Sequence, residues 1–349
     1  RPSPARLIER VERLCREPIE ERPLRAALID ELKRSVSFDW YAWLLTGPET
    51  EVGASPLADT PSLPDLPRLI RSKYLTGLNR WTSLGNTAVG LHATTGGALE
   101  QSRLWSEVLS GYGVVDVASL AFRDAHGLWG WLDVWRTAPA VPFDTDELAS
   151  LTAVVGPITA ALRDAQARTF QERVAAPARA GPAVLVLSAE LQVKAQTRET
   201  EEYLRALVPP AGDRRPIPAG AYNVGAQLLA VEAGVDDHLA LTRVHLDGGL
   251  WLTLRAARVD APGPPSDRDI AVTIEPTSPA ERRRLFAAGH ALSPRESELV
   301  ELLAGGADTH TIAQQMFVSE HTVQDHLKSI FAKTGARNRR SLIARLVGG

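Results

Sequence analysis

The chain has 349 residues, 44% of them hydrophobic and 23% charged, with a formal net charge of −3. That length exceeds one ordinary hydrophobic core and suits two or three domains, and the balance is that of a folded soluble protein rather than a disordered one. Its single cysteine, Cys15, excludes a disulfide framework and a thiolate metal cage.

No run reaches the roughly 18–20 uncharged apolar residues of a membrane-spanning helix. The longest candidate, Leu148 to Leu162, is short and broken by Gly156-Pro157. No signal peptide is visible, although a first residue of Arg1 leaves room for a natural start upstream. With a lone cysteine, these features set the expectation of a cytoplasmic protein that makes no membrane contact.

Helical periodicity opens the chain, with Leu7, Val11 and Leu14 on one face, then Leu24, Leu28 and Leu32, and a break expected near Pro18 and Pro23. Phe38 to Thr46 reads as a buried strand, Gly47-Pro48 as a turn, and Gly53 to Pro67 as a proline-punctuated loop. A helix is expected to begin at Leu69. From Gly113 the pattern becomes strand-like, with a hairpin turn at Asp124-Ala125-His126-Gly127 and a returning strand from Leu128 to Trp135. Asp144 with Glu147 three residues on is a capping box, opening a helix that could run to Val174 with a kink at Pro157.

This element order, with the Pro142-Phe143-Asp144-Thr145-Asp146-Glu147 lead into a final helix, resembles a GAF domain over roughly residues 20–170. A linker follows at Ala178 to Pro182. Strands are expected at Ala183 to Leu187 and Leu191 to Ala195, then a helix through Thr200 to Leu204. Three more strands, Leu239 to Leu246, Leu250 to Val259 and Ile270 to Glu275, follow, the first two joined at Gly248-Gly249. Two strands, helices, then three strands is similar to a PAS domain.

The last sixty residues or so carry the most specific signal. Ser293, Pro294 and Glu296 form a helix start with a capping box, and Gly305-Gly306 a stop. Thr309 is expected to cap a second helix, Phe317-Val318 to make a short turn, and Ser319 to cap a third helix that ends at Gly335. Ser341 to Leu346 forms a short fourth. This is the grammar of a tetrahelical helix-turn-helix, which places its third helix in a DNA major groove. Net acidity does not oppose that reading. Beyond Asp325 there is no acidic residue, whereas Lys328, Lys333, Arg337, Arg339, Arg340 and Arg345 are basic, and Arg282-Arg283-Arg284 forms a second cluster upstream. Local positive potential attracts a phosphate backbone.

With Val323, Leu327, Ile330 and Phe331 turned inward, the outward face of the third helix keeps Gln324, Asp325 and Lys328. All three residue types can read base edges, while Thr322 and the helix N-terminal amides suit a phosphate oxygen. His326 reads as a packing or phosphate-adjacent residue rather than a catalyst.

The segment Leu292 to Leu346 resembles the LuxR-type (LuxR/FixJ-like) helix-turn-helix of bacterial transcription regulators. Matching positions include Arg295-Glu296, Gly305, Ile312-Ala313, Val318-Ser319, Thr322-Val323, His326-Leu327, Ile330-Phe331, Lys333, Gly335 and Arg337-Asn338-Arg339. The resemblance implies that Gln324, Asp325 and Lys328 enter the major groove and that the fourth helix pairs two units on a two-fold site. It makes Thr309, Ser319, Thr322, Gln324, Asp325, Lys328, Lys333 and Arg337 the candidate DNA-binding residues. One departure is Gln324, where the family often has Lys, which points to a different preferred sequence. Asp325 also brings a negative charge toward DNA.

The expected architecture is therefore multidomain α+β. A GAF-like sensory domain occupies 1–176, a PAS-like domain 183–276, and an all-α helix-turn-helix domain 285–349. Seven of the eight tryptophans lie between Trp40 and Trp135, and period-two alternation sets Trp129, Trp131 and Trp135 on one strand face. Such a row can line a ligand cavity or fill a core. Candidate pocket residues are Tyr41, Trp43, Trp81, Trp129, Trp131 and Trp135.

A receiver-type acidic constellation, a GxxxxGK[ST] phosphate loop, a cysteine in the PAS-like segment and catalytic motifs are all missing from the sequence. His238 and His245 read as ordinary surface or core histidines. No cofactor, metal or enzymatic activity is expected. Expected partners are double-stranded DNA, a second copy of the chain, a small-molecule effector, and RNA polymerase. In the alternative reading, the front modules answer to a protein partner and hold no small molecule.

Overall fold

The computed structural model describes residues 4–171, 182–207, 215–246, 249–260, 264 and 267–348. They fall into two compact units. The first is drawn from Arg1–Leu162, Arg179–Val244 and Leu252–Glu275, the second from Arg163–Ala178, His245–Trp251 and Pro276–Gly349. Both sheet-bearing modules thus belong to one unit.

Helices α1 (Pro4–Cys15) and α2 (Glu21–Ser35) bury Leu7, Val11, Leu24, Leu28 and Leu32, with Pro18 in the break between them. Strand β1 (Trp40–Thr46) pairs with β2 (Gly53–Asp59), which lies where a loop is expected from sequence. Pro56 is tolerated because β2 is the sheet edge, where a missing N–H breaks no central ladder. Next come α3 (Leu66–Tyr74), β3 (Val89–Gly90), α4 (Leu91–Thr95) and α5 (Arg103–Glu107), then the hairpin of β4 (Val114–Asp124) and β5 (Gly127–Thr137).

The Asp144–Glu147 capping box is present. The helix it opens is two helices, α6 (Thr145–Ala153) and α7 (Val155–Arg168), because Pro157 has no N–H for the carbonyl four residues back and its ring crowds that turn. Its expected extension beyond residue 171 lies outside the described residues, as do most of the linker from Ala178 and position 248 of the later turn.

The second module has β6 (Ala183–Leu187), β7 (Val193–Gln196), α8 (Arg198–Leu207), α9 (Ala219–Glu232), β8 (Leu241–Leu246), β9 (Leu250–Arg258) and β10 (Ile270–Pro276). Helix α9 is buried over most of its surface, so it lacks the polar stripe that marks a surface helix in sequence. The two sheets share one strand order, β2-β1-β5-β4-β3 and β7-β6-β10-β9-β8.

Five helices complete the chain: α10 (Pro279–Gly289), α11 (Pro294–Ala304), α12 (Thr309–Met316), α13 (Glu320–Thr334) and α14 (Arg339–Val347). Leu299, Leu303, Ile312, Met316, Val323, Leu327, Ile330, Leu342 and Leu346 form one core with Phe170, Trp251 and Phe286. Arg282 of the upstream basic cluster is buried, donating to the Gly249 carbonyl at 2.7 Å and lying over the Phe170 ring at 4.9 Å. Arg283 pairs with Glu301 at 2.7 Å. The Arg282-Arg283-Arg284 run is therefore not an open basic patch. Among the described residues, no helix is long and apolar enough to cross a membrane.

Candidate nucleic-acid interface

Local capping builds the α12–turn–α13 element. Asp308, not Thr309, caps α12, its side chain accepting from the Thr311 N–H at 2.8 Å. The shorter aspartate-led cap places Thr309 one residue inside the helix, half-buried. At the other end Phe317 takes the left-handed conformation (φ 56°), with the Phe317 N–H reaching the Gln314 carbonyl and the Val318 N–H the Ala313 carbonyl. That is a Schellman closure with phenylalanine where glycine is usual. Phe317 is 94% exposed, so no packing offsets a backbone cost of about 1–2 kcal/mol. Ser319 then caps α13 by accepting from the Thr322 N–H at 3.1 Å.

Burial of Val323, Leu327 and Ile330 leaves His321, Gln324, Asp325 and Lys328 exposed. Their three- and four-residue spacing makes one stripe on α13. Within it Lys328 Nζ lies 3.1 Å from Asp325 Oδ1 and His321 Nε2 lies 3.5 Å from Asp325 Oδ2. The Lys328 hydrogen bond, with charge from His321, holds the Asp325 carboxyl below its ordinary range. The acidic residue is thus bracketed by two basic ones, and His321 was marked in the sequence only by lying four residues before Asp325.

Lys333 faces elsewhere. Its ammonium lies 2.7 Å from buried Glu296 Oε2 and 3.1 Å from the Ala291 carbonyl. Burial pushes the Glu296 pKa up, but Lys333, the Ser329 hydroxyl and the Ser293 backbone and hydroxyl outweigh it and bring it down to about 2. Arg339 donates to the Ala307 carbonyl and Arg345 to that of Thr334. Three of the six basic residues of the tail therefore hold the unit together. Lys328, Arg337 and Arg340 remain exposed cations, and the Arg337 backbone N–H donates to Ser341 Oγ at 3.0 Å.

In the first unit, a cavity of about 170 Å³ lies between the β2-β1-β5 face, α3 and the start of α9. Of the six candidate pocket residues, Trp131 lines it. Leu44, also in the lining, is the cross-strand neighbour of Trp131. Tyr41 and Trp43 pair with Val134 and Leu132, which puts them on the opposite face of the sheet. Trp81 stacks on Trp131 at 4.9 Å, and Trp135 packs with Leu69, Leu104 and Leu109. The register between β4 and β5 shifts between Phe122 and Arg123, beside Trp129, whose indole N–H donates to Asp124 at 3.0 Å. The six are therefore not brought together. Sequence periodicity missed Lys73, Tyr74 and Asn223, which line the cavity from α3 and α9 and carry no shared spacing with Trp131.

The two sheet modules are joined beside this cavity by Arg80. Its guanidinium lies 2.7 Å from Asp236 and 3.0 Å from Gln227, and donates to the Tyr74 carbonyl. Thr242 Oγ1 donates to the Val52 carbonyl at 2.9 Å. Asp236, Asp237 and His238 are close enough together to share a metal ion, but Asp236 is already held by Arg80, Thr82 and His238.

A capped helix, a tight turn and a second capped helix with an exposed polar stripe define a helix-turn-helix unit of the DNA-binding class. Residues 290–346 match the family of bacterial regulatory proteins called the luxR family. The spore germination protein GerE of Bacillus subtilis is 32% identical over 66 residues, which cover 19% of this chain and 89% of that protein. The chain belongs to this family.

The monoamine regulon transcriptional regulator of Klebsiella aerogenes is 43% identical over 54 residues, 16% of this chain and 24% of that protein. An HTH-type transcriptional regulator of Mycobacterium tuberculosis is 29% identical over 172 residues, 46% of this chain and 19% of that protein. The matched region thus spans about a fifth of the length of such mycobacterial relatives. A crystal structure of Escherichia coli SdiA aligns over 99% of this chain and 97% of its own at 13% identity, with a TM-score of 0.33.

Proposed function

We propose that the chain is a sequence-specific DNA-binding transcription regulator, acting as a dimer, whose helical unit is governed by a small molecule held in the sheet-bearing unit. The exposed stripe of His321, Gln324, Asp325 and Lys328 on α13 carries the DNA half of this reading. Glutamine pairs bidentately with adenine, lysine donates to guanine or to phosphate, and aspartate accepts from cytosine. Each well-made contact contributes ~1–3 kcal/mol of discrimination. Ser319 and Thr322, at the start of α13, sit where helix N-terminal amides meet a phosphate.

The cavity between the β2-β1-β5 face, α3 and α9 supports the sensing half. An effector there can shift DNA binding only by favouring one conformation of the chain over another. Native mass spectrometry of the gently purified chain, paired with DNA binding by fluorescence anisotropy, tests this half. A stoichiometric bound compound whose removal alters DNA affinity supports it. A chain that carries none, and whose DNA affinity no metabolite extract changes, contradicts it.

A further inference from the structure

We propose that His310 of α12 and His321 of α13 are contacts to the DNA backbone made only by their protonated rings, so that the chain takes up protons as it binds a duplex. The proposal rests on the DNA-binding role given above and adds a condition to it: the phosphates are met by charge that is acquired on binding.

The fixed charge of this surface opposes a polyanion. Apart from histidine, α12 carries no charged residue, and α13 carries Glu320 and Asp325 against Lys328 and Lys333. Lys333 is held by Glu296. With neutral imidazoles that leaves two carboxylates and one ammonium, a formal charge of −1. Affinity for a duplex follows the number of phosphates that cations neutralise. Three of the chain's eight histidines lie between positions 310 and 326, His310 and His321 exposed and His326 half-buried. Protonating the two exposed rings turns the −1 into +1.

Their placement suits the backbone. Each is the second residue of its helix. In a helix-turn-helix the first helix crosses the backbone and the second enters the major groove by its N-terminal end. The two positions are linked, since His310 Nδ1 donates to Glu320 Oε1 at 2.9 Å and Glu320 immediately precedes His321.

Both rings are free to gain a proton where they stand. His310 Nε2 lies 2.9 Å from Gln314 Nε2 and accepts from that exposed amide while the ring is neutral. Protonation makes Nε2 a donor, which a turned Gln314 amide or a phosphate oxygen can accept. His321 Nε2 lies 3.5 Å from Asp325 Oδ2. Three further groups face the pair. Asp308 opens α12, its carboxyl held below the ordinary range by the Thr311 backbone and hydroxyl, with charge from His310 and Arg339. Lys328 and His326 share Asp325 with His321. An imidazole ordinarily titrates near pH 6.5, so a phosphate beside it is what retains a proton at neutral pH.

The test titrates the full chain with a random-sequence duplex by fluorescence anisotropy between about pH 6 and 8 at several salt concentrations, with circular dichroism to verify folding. The expected result is binding about tenfold or more tighter at the acid end. The log–log salt slope there should be steeper by about 1–2, as one or two extra neutralised phosphates imply. Calorimetry in buffers of differing ionisation enthalpy should count about one proton or more taken up per chain. His310→Gln combined with His321→Gln should hold the weaker, alkaline affinity across the range. His310→Lys combined with His321→Lys should bind tightly throughout, because the charge is then fixed. A pH dependence undiminished in the glutamine pair, or a lysine pair no tighter than wild type at the alkaline end, overturns the proposal. Wild-type binding that changes less than about twofold across the range overturns it alone and leaves the DNA-binding role standing. A folded chain that binds no duplex at any pH overturns both.

Discussion

Lys333 Nζ lies 2.7 Å from Glu296 Oε2, so a lysine that the sequence offers to a DNA phosphate instead ties α13 to α11. Replacing it by methionine leaves a buried carboxylate short of its cationic partner, at a cost of about 1.5–3 kcal/mol. Chemical denaturation of Lys333→Met should show that loss, while DNA affinity of the folded fraction falls less than in Lys328→Ala. Full stability with strongly reduced affinity would return Lys333 to the DNA surface.

Two buried groups make the helical unit acid-sensitive in separate ranges. Burial, partly opposed by the Lys333 backbone, lowers the His290 pKa from 6.5 to about 4. Between those values the unfolded chain binds a proton that the folded chain refuses, so stability falls as pH drops from about 6.5 to 4, by about 3 kcal/mol. Glu296 is depressed from 4.5 to about 2, so its contribution is present above about 4.5 and is lost as pH falls toward 2. Urea denaturation across pH 2–8 should show both ranges, and His290→Phe should flatten the upper one. A flat profile from pH 7 to 4 in wild type would contradict this assignment.

Arg80 and Asp236 are both almost fully buried, and Gln227 shares the guanidinium. Arg80→Met removes the cation and leaves Asp236 with Thr82 and His238 alone, a loss of about 3–5 kcal/mol. The expected signature is a large drop in the denaturation midpoint of the sheet-bearing unit. A change under about 0.5 kcal/mol, typical of an unimportant surface site, would show that the two modules are joined by other contacts.

Asp325 sits between Lys328 and His321, so its charge limits attraction to arbitrary DNA. Asp325→Asn should bind random duplex more tightly and discriminate less among sequences, the specific-to-random ratio falling about tenfold for the loss of one base contact. Anisotropy titrations with one specific and one scrambled duplex measure that ratio directly. An unchanged ratio would remove Asp325 from base recognition.

The helix-turn-helix was legible because its signals are local. Ser293 with Glu296, Ser319 with Thr322, and Gly335 each act within a few residues. Even there, Asp308 displaced Thr309 as the cap, and Lys333 found a partner 37 residues away that no local rule reveals. In the front modules β2 was hidden by Pro56, which an edge strand tolerates, and α9 gives little amphipathic signal because most of its surface is buried. The cavity was not legible as a set. Alternation placed Trp131 and Trp135 on one face, but only the pairing of Trp43 with Leu132 shows that Trp43 faces away, and Asn223 arrives from another module.

If α13 reads DNA sequence through its exposed stripe, selection from a randomised duplex library with the full chain will reveal it. One recurring sequence should be enriched, with Gln324→Ala relaxing the preference and Lys328→Ala weakening binding while reducing the salt-dependence slope by about 1 if it contacts a phosphate. A correctly folded chain that enriches nothing above the starting library would contradict it.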